Sequence, residues 1–255
     1  MLFNEIVYGP IHSRRLGTSL GVNLMPTDKK LCTFNCVYCE CGWNTQALYP
    51  QLPSREQVRQ ALENKLSSMK AQGVQLDVIT FSGNGEPTLH PDFAGIIDDT
   101  CALRDRYCPA AKVSVLSNST QLFRDEVRAA LMRCDNRILK LDSAIDKTMR
   151  LIDQPLNPEF TVAHVKHMLS TFNGDFTLQT CFLRGEHNGQ RIDNTTSEEL
   201  AAWYKVVEEL HPKQLMIYVI DRATPEQNLE KIPRDEMERI AAPLREKGFD
   251  VSISA

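Results

Sequence analysis

The amino-acid sequence predicts an α/β protein built around a mostly parallel sheet. From about residue 76 onward, short apolar stretches alternate with helical patterns, an order typical of parallel strands joined by right-handed crossovers. The chain offers about six strand–helix units, which is fewer than the usual closed eight-fold barrel requires. A partial, open barrel and a doubly wound sheet both fit this count.

Six segments have the composition of strands and are separated by lengths that admit helices. They are residues 18–24, 76–81, 112–116, 137–142, 175–182 and 213–220. Two helix starts are marked by residues with capping-box spacing, Ser54 with Gln57 and Thr196 with Glu199. Pro243 stands inside the last helical pattern, and we expect it to kink or shorten that helix.

Composition indicates an ordinary globular chain, with 42% apolar residues, 24% charged residues and a net charge of −4. This charge gives no global attraction to nucleic acid. No apolar run is long enough to cross a bilayer, and the first ten residues lack the features of a signal peptide, so we expect a cytoplasmic protein without a membrane partner. In the absence of repeats or a long linker, we expect one domain over residues 1–255, with residues 1–17 covering the barrel.

Three of the eight cysteines stand close together directly after the first predicted strand. Cys32, Cys36 and Cys39 have the spacing C-x3-C-x2-C within the loop 31–42, LCTFNCVYCECG. Thiolates in one tight loop suit a [4Fe–4S] cluster, and three protein ligands leave one iron open to a small molecule. A structural zinc site would need a second cysteine pair. A fully ligated electron carrier that also uses Cys41 is the main alternative, although the single residue between Cys39 and Cys41 makes that geometry awkward.

The motif C-x3-C-x-aromatic-C, with Tyr38 as the aromatic residue, resembles the signature of the radical S-adenosylmethionine (SAM) superfamily. The resemblance implies a partial (βα)6-type parallel barrel. It also implies that Cys32, Cys36 and Cys39 bind three irons of a [4Fe–4S] cluster, while the amino and carboxylate groups of SAM chelate the fourth. Tyr38 would then lie near the adenine of SAM. Cys41 is outside the motif, and its role stays open.

A glycine-containing turn, SGNGEPT, follows the second predicted strand. Glycines at this place let the backbone approach a ligand closely, although a simple strand–helix turn is an equal alternative. The segment is similar to the Gly-Gly-Glu-Pro segment of the superfamily, which binds the amino group of SAM. The resemblance therefore implies SAM contacts for Gly83, Asn84, Gly85 and Glu86, with Asn84 as a departure because it separates the glycines.

Polar residues also follow the third and fourth predicted strands. Ser117 and Asn118 either cap the next helix or, as the resemblance implies, contact the ribose and methionine end of SAM. Strand alternation places Lys140 and Asp142 on one face, where a polar pair inside a barrel indicates a ligand contact and a rim salt bridge is the alternative. We therefore count Asp142 among the cofactor contacts. Further candidates for holding a substrate are Gln179, Arg184, Asp221 and Arg222.

Two further segments, YGPIHSRRLG at residues 8–17 and DRATP at residues 221–225, resemble a compact group related to the wyosine-forming tRNA enzymes. This similarity is not specific for one reaction. Arg14 and Arg15 offer rigid two-pronged donors for a phosphate or carboxylate of the substrate. The alternative is a charged edge that covers the barrel. His12 belongs with Arg14 and Arg15 in this candidate group, whereas the other histidines show no ligand-like clustering with acidic residues; they are His90, His164, His167, His187 and His211.

The resemblance implies an external one-electron donor, such as reduced flavodoxin or ferredoxin. It implies that SAM is cleaved to methionine and a 5′-deoxyadenosyl radical, which abstracts hydrogen from a substrate. The substrate hypotheses are RNA, or a small molecule, peptide or protein, including activation of a glycyl-radical enzyme. An electron-transfer iron–sulfur protein without SAM turnover is the alternative from another class. The acidic net charge counts against RNA, and the SAM-site signals count against a pure electron carrier.

Overall fold

The computed structural model describes residues 2–13, 15–45 and 51–255. The chain forms two compact units, each built from two stretches of sequence. The first unit contains Met1–Cys32 and Asn44–Arg137, and the second contains Thr33–Trp43 and Ile138–Ala255. Within the described ranges, no helix combines the length and the apolar character needed to span a membrane.

The first unit is a four-stranded sheet with helices in its crossovers. Its strands lie side by side in chain order: β1 (Val7–Ser13), β2 (Gly17–Val22), β3 (Val78–Phe81) and β4 (Lys112–Ser117). The β1–β2 pair is antiparallel, whereas β2–β3 and β3–β4 are parallel. Its helices are α1 (Arg55–Ala71), a short 3-10 helix (Pro87–Leu89), α2 (Phe93–Tyr107) and α3 (Asp125–Met132).

The start of α1 follows from its sequence. The Ser54 side chain accepts a hydrogen bond from the backbone of Gln57, whose side chain accepts one from the Ser54 backbone, so the predicted capping box is present. Helical spacing then directs one apolar face inward, at Val58, Leu62, Leu66 and Met69. A bidentate ion pair between Arg55 and Asp99, with both N–O distances at 2.7 Å, joins α1 to α2.

The second unit contains a parallel sheet that carries two antiparallel additions. Its strands are β5 (Asn136–Lys140, of which the last three residues belong here), β6 (Thr177–His187), β7 (Gln190–Asp193), β8 (Gln214–Val219), β9 (Leu229–Lys231) and β10 (Val251–Ser254). The parallel order is β5-β6-β8-β10, and β7 and β9 pair with the distal half of β6. Its helices are α4 (Asp146–Asp153), α5 (Val162–Ser170), α6 (Ser197–Leu210) and α7 (Arg234–Glu246).

The core of the second unit includes a fully buried tryptophan. Trp203 of α6 packs edge-on against Phe182 of β6, with ring centroids 5.2 Å apart. Its indole nitrogen donates a hydrogen bond to Thr180 Oγ1 at 3.0 Å, so the only polar atom of the side chain is satisfied. The helix and the strand are therefore joined by apolar packing and by one buried hydrogen bond.

All six predicted strands are present, although several helix and strand ends differ from the prediction. Strand β6 runs past its predicted end at 182 to His187, because its last residues pair with the short strands β7 and β9. Helix α7 continues to Glu246, so Pro243 does not end it. The second capping box is only half formed, since Thr196 accepts from the Glu199 backbone while the Glu199 carboxylate accepts from Ser143 Oγ at 2.7 Å.

Candidate functional site

The chain enters the cysteine loop along the glycine turn that follows β3. Leu31 forms a parallel bridge with Gly85. The Leu31 N–H donates to the carbonyl of Asn84 at 2.8 Å, and the Leu31 carbonyl accepts from the Glu86 N–H at 3.1 Å. The residue before Cys32 is thus fixed by the backbone of the turn in which the sequence predicts SAM contacts.

Both glycines of this turn have backbone conformations that favour glycine, and both lie against other parts of the chain. Gly85 has φ +146°, and a Cβ there would lie 1.7 Å from the Leu31 carbonyl oxygen. Gly83 has φ +143°, and a Cβ there would lie 2.5 Å from Asn23 Oδ1. In this structure, then, a glycine is required at position 85 because the turn lies directly against the backbone of Leu31, the residue before Cys32.

The Asn84 side chain is fully buried and forms hydrogen bonds with other parts of the chain. Its Oδ1 accepts from the Phe3 N–H at 2.8 Å, and its Nδ2 donates to the carbonyls of Phe3 and Pro26, each at 2.8 Å. The Asn84 N–H donates to Asn23 Oδ1 at 3.0 Å. The residue that separates the two glycines therefore anchors the N-terminal segment, and its side chain is committed to that role.

The carboxylate of Glu86 is a buried junction between the ends of β3 and β4. Its Oε1 accepts from Thr88 and from Ser117 Oγ, the latter at 2.8 Å, and its Oε2 accepts from the Asn118 N–H at 2.7 Å. Burial raises the pKa of this carboxyl group, while the donors that surround it act in the opposite direction. The side chains of Glu86 and Ser117 thus hold each other, and they fix the backbone of Asn118.

The side chain of Asn118 connects this hydrogen-bond network to Cys32, the first cysteine of the motif. Its Oδ1 accepts from the N–H and the hydroxyl of Thr120, at 3.1 and 2.8 Å. With that oxygen fixed, the Nδ2 points to the sulfur of Cys32 at 3.4 Å. Asn44 also donates to the Cys32 carbonyl at 3.1 Å. The sulfur of Cys32 therefore faces the amide donor of Asn118, and the carbonyl of Cys32 is held by Asn44.

In the second unit, the rest of the cysteine loop lies on the C-terminal end of α4. The N–H groups of Asn35 and Val37 donate to the carbonyls of Asp153 and Ile152, both at 2.9 Å. The Cys39 N–H then donates to the Cys36 carbonyl at 3.1 Å, and the Gly42 N–H donates to the Cys39 carbonyl at 2.9 Å. These are two successive tight turns, and they contain two of the three motif cysteines.

The Cys36 sulfur is buried among ionisable side chains. Its Sγ lies 3.4 Å from Asp153 Oδ1 and 3.7 Å from Lys140 Nζ. Tyr38 donates a hydrogen bond to Asp142 and accepts one from Lys140, whose Nζ also lies 4.7 Å above the Tyr38 ring. Lys140 and Asp142 form an ion pair at 3.5 Å and are only 15% and 0% exposed, so they face one way, as strand alternation predicts.

The electrostatics of this cluster follow from its burial. Burial and the neighbouring Asp142 raise the pKa of both Tyr38 and Asp153. Burial by itself lowers the pKa of Lys140, but the acidic groups around it, led by Cys36 and Asp142, raise it above the usual value. Lys140 is therefore a buried cation in contact with a cysteine sulfur.

Other candidate residues have structural partners. Arg184 binds Glu236 and Thr195, Arg222 pairs with Glu40 at 2.7 Å, and Asp221 pairs with Lys231 at 3.5 Å. Gln179 is buried and donates to the sulfur of Met216 at 3.5 Å. The Arg15 N–H is held by Ser13 Oγ at 3.3 Å, whereas Arg14 lies outside the described residues. Cys41 is half-buried.

The sequence did not predict the role of His187 at the end of β6. Its Nδ1 lies 2.7 Å from Glu226 Oε2, and its Nε2 lies 2.9 Å from the side-chain nitrogens of Gln154 and Asn188. The ring also lies 5.7 Å from that of Trp43, which closes the cysteine loop and is 36% exposed. Hydrogen bonding to His187 lowers the pKa of Glu226. Only the fold reveals this pair, because 39 residues separate its members.

The donor chemistry of the motif fits an iron–sulfur cluster. All eight cysteines are in the reduced thiol form, and three of them occur within residues 32–39. The sulfurs of Cys32 and Cys36 each have a nitrogen donor nearby, an arrangement typical of cluster thiolates. In the part of the chain that the structure describes, no three His, Cys, Asp or Glu side chains are already gathered around a metal position.

No protein-family model matches the chain. Among curated proteins, it is 30% identical over 239 residues to the GTPase Obg of Brachyspira hyodysenteriae, covering 91% of this chain and 32% of that protein. It is 32% identical over 152 residues to a UPF0026 protein of Methanocaldococcus jannaschii, covering 59% of this chain and 44% of that protein. The chain thus spans less than half the length of either of these relatives.

The solved structures with similar folds are more informative. A radical SAM methyltransferase from Sphaerobacter thermophilus matches with a TM-score of 0.68 and 13% identity, over 92% of this chain and 65% of that chain. SuiB of Streptococcus suis, bound to S-adenosylmethionine, matches with a TM-score of 0.65 and 14% identity, over 92% and 50%. TYW1 with a bound lysine–pyruvate adduct matches with a TM-score of 0.63 and 14% identity, over 91% and 75%. The chain has the α/β partial-barrel fold of radical SAM enzymes, and the predicted fold class is confirmed.

Proposed function

We propose that the chain is a radical SAM enzyme in which Cys32, Cys36 and Cys39 hold a [4Fe–4S] cluster. The observation that carries the proposal is the backbone bridge between Leu31 and Gly85. It ties the entry of the three-cysteine motif to the turn that resembles the superfamily's SAM segment, in a chain with the radical SAM fold. A glycine at position 85 is required for that bridge, since any side chain would collide with Leu31.

Different residues of the chain would bind SAM and orient the cluster ligands. The turn at residues 83–86 offers backbone carbonyl groups to the amino group of SAM, while the side chains of Glu86 and Asn84 hold the turn through contacts inside the protein. Asn118 orients an amide toward Cys32, and Tyr38 presents an aromatic face for the adenine. The complete set that we propose for SAM contact is Tyr38, Gly83, Asn84, Gly85, Glu86, Ser117, Asn118 and Asp142, in which Asn84 and Glu86 act through their backbone carbonyl groups.

When bound, such a cluster supplies the electron that splits a carbon–sulfur bond of SAM, which gives methionine and a 5′-deoxyadenosyl radical. We propose a reduced flavodoxin or ferredoxin as the external donor. The protein residues contribute binding and orientation. The loop itself is fixed by backbone hydrogen bonds to Asp153 and Ile152, so that the thiol of Cys36 faces the buried interior.

The fold does not select a substrate, because the matching structures include a methyltransferase and a protein that holds a lysine–pyruvate adduct. We propose that a radical formed at this site abstracts hydrogen from a partner molecule. A salt titration separates RNA from a small molecule, since RNA binding weakens steeply with salt when several phosphates are neutralised together. A small carboxylate would show a much shallower dependence.

The test begins with anaerobic reconstitution of the full chain with iron and sulfide. We expect about four irons per chain, a reduced-state EPR signal that SAM perturbs, and release of 5′-deoxyadenosine when SAM and a reductant are added. Cys36→Ala should lose the iron and the deoxyadenosine, whereas Cys134→Ala, which removes a buried thiol outside the motif, should retain both. A chain that binds iron but neither responds to SAM nor releases deoxyadenosine would be an electron carrier instead.

A further inference from the structure

We propose that Lys140 raises the reduction potential of the cluster by placing its ammonium group against the sulfur of Cys36. This inference rests on the proposed function, because it requires that Cys36 ligate a cluster. Lys140 does not belong to the cysteine motif, and we infer its role from its position at the end of β5. It acts through Cys36 and is therefore a positioning residue.

The geometry of Lys140 is fixed by three contacts. Its Nζ lies 3.7 Å from Cys36 Sγ and 3.5 Å from Asp142 Oδ2, and it donates a hydrogen bond to the hydroxyl of Tyr38. The ammonium also lies 4.7 Å above the Tyr38 ring, a distance at which a cation and an aromatic face attract. A long flexible side chain held in this way presents its charge to the sulfur in one orientation.

The surroundings make that charge effective. The side chain of Lys140 is only 15% exposed and Asp142 is fully buried, so little water screens the interaction between Lys140 and the sulfur. Reduction adds one negative charge to a cluster, and a nearby cation stabilises the reduced form more than the oxidised form. Hydrogen bonds to the sulfurs and the local net charge are the known determinants of such potentials.

The nitrogen donors that face the two sulfurs differ in charge. Cys32 Sγ faces the neutral amide of Asn118 at 3.4 Å, whereas Cys36 Sγ, which also contacts Asp153 Oδ1 at 3.4 Å, faces the ammonium of Lys140. A neutral amide supplies a hydrogen bond alone, while the ammonium supplies a hydrogen bond and a full positive charge. The contribution of the charge to the potential should therefore be concentrated at Cys36.

The experiment compares Lys140→Met, Lys140→Gln and Lys140→Arg in the full chain after anaerobic reconstitution. The measured quantity is the midpoint potential of the cluster, obtained from a redox titration followed by EPR. We expect Lys140→Met and Lys140→Gln to lower the reduction equilibrium constant at least ten-fold, which corresponds to about 59 mV for one electron. Lys140→Arg keeps the charge and should stay near the wild-type value.

Lys213→Met is the matched control, because it removes a lysine that pairs with Asp175 at 3.1 Å on the surface of the same unit. This substitution should leave the midpoint potential unchanged. Loss of Lys140 leaves Asp142 buried without its cation, so Lys140→Gln, which keeps an N–H donor, decides the matter if the Met variant binds no iron. An unchanged midpoint in a Gln variant that holds about four irons would refute the inference. A wild-type chain that assembles no cluster would instead overturn the proposed function.

Discussion

Replacing Gly85 by alanine should detach the start of the cysteine loop from the turn that follows β3. A Cβ at this position would lie 1.7 Å from the Leu31 carbonyl oxygen and 2.5 Å from its carbonyl carbon, so the two segments must separate. Separation breaks the hydrogen bonds from Leu31 to Asn84 and from Glu86 to Leu31, each worth about 0.5–1.5 kcal/mol. The strained backbone conformation adds about 1–3 kcal/mol.

The sum is a loss of about 2–6 kcal/mol in the free energy of unfolding, a large part of the stability of an ordinary domain. We expect Gly85→Ala to lower the urea midpoint strongly and to bind much less iron after anaerobic reconstitution, because Cys32 moves with Leu31. The matched control is Gly73→Ala, since Gly73 also has positive φ, +69°, but no atom lies within 4 Å of its would-be Cβ. If Gly85→Ala keeps as much iron and stability as Gly73→Ala, the bridge does not position the loop.

Three further predictions concern the same part of the molecule. Cys39→Ala should abolish iron binding while Cys41→Ala retains about four irons per chain by colorimetric assay; loss of iron in both would favour a fully ligated carrier. Asn84→Ala removes three buried side-chain hydrogen bonds and should cost about 2–5 kcal/mol in urea unfolding, with faster amide exchange near Phe3; protection of Phe3 equal to wild type would contradict the anchoring role. Glu86→Gln should lose about 1.5–3 kcal/mol, because an amide nitrogen replaces an oxygen that accepts from a buried N–H or hydroxyl donor; a stability equal to wild type would show that the charge of the carboxylate is unimportant.

Hydrophobic periodicity located the parallel strands β2, β3, β4, β5, β6 and β8, because each is a short apolar run near an amphipathic helix, but it overlooked the parallel strand β10. The same reasoning overlooked β7 and β9, which are largely exposed and carry no such run. It also overlooked β1, whose outer residues are exposed at the sheet edge. Strands of this kind are defined by their pairing partners, and a single sequence does not contain that information.

For the site residues, the sequence likewise predicted which residues lie together but not where their side chains point. The sequence pattern placed Gly85, Glu86 and Asn118 in one neighbourhood, because they follow adjacent parallel strands. It could not show that the carboxylate of Glu86 and the side chain of Asn84 point into the protein, since their partners come from residues as distant as Phe3 and Asn118. Whether a polar side chain faces a ligand or holds the backbone depends on tertiary contacts, which spacing does not encode.

The two tryptophans of the chain stand in places that make them separate optical reporters. Trp203 is sealed in the core against Phe182, so its emission should be blue-shifted and should respond to unfolding. Trp43 is partly exposed and follows Cys39 by only four positions, so an iron–sulfur chromophore in the loop would quench its emission by energy transfer. In a Trp203→Phe background, tryptophan fluorescence would follow cluster assembly in the loop in real time. The fluorescence of the wild-type protein would report both cluster assembly and unfolding.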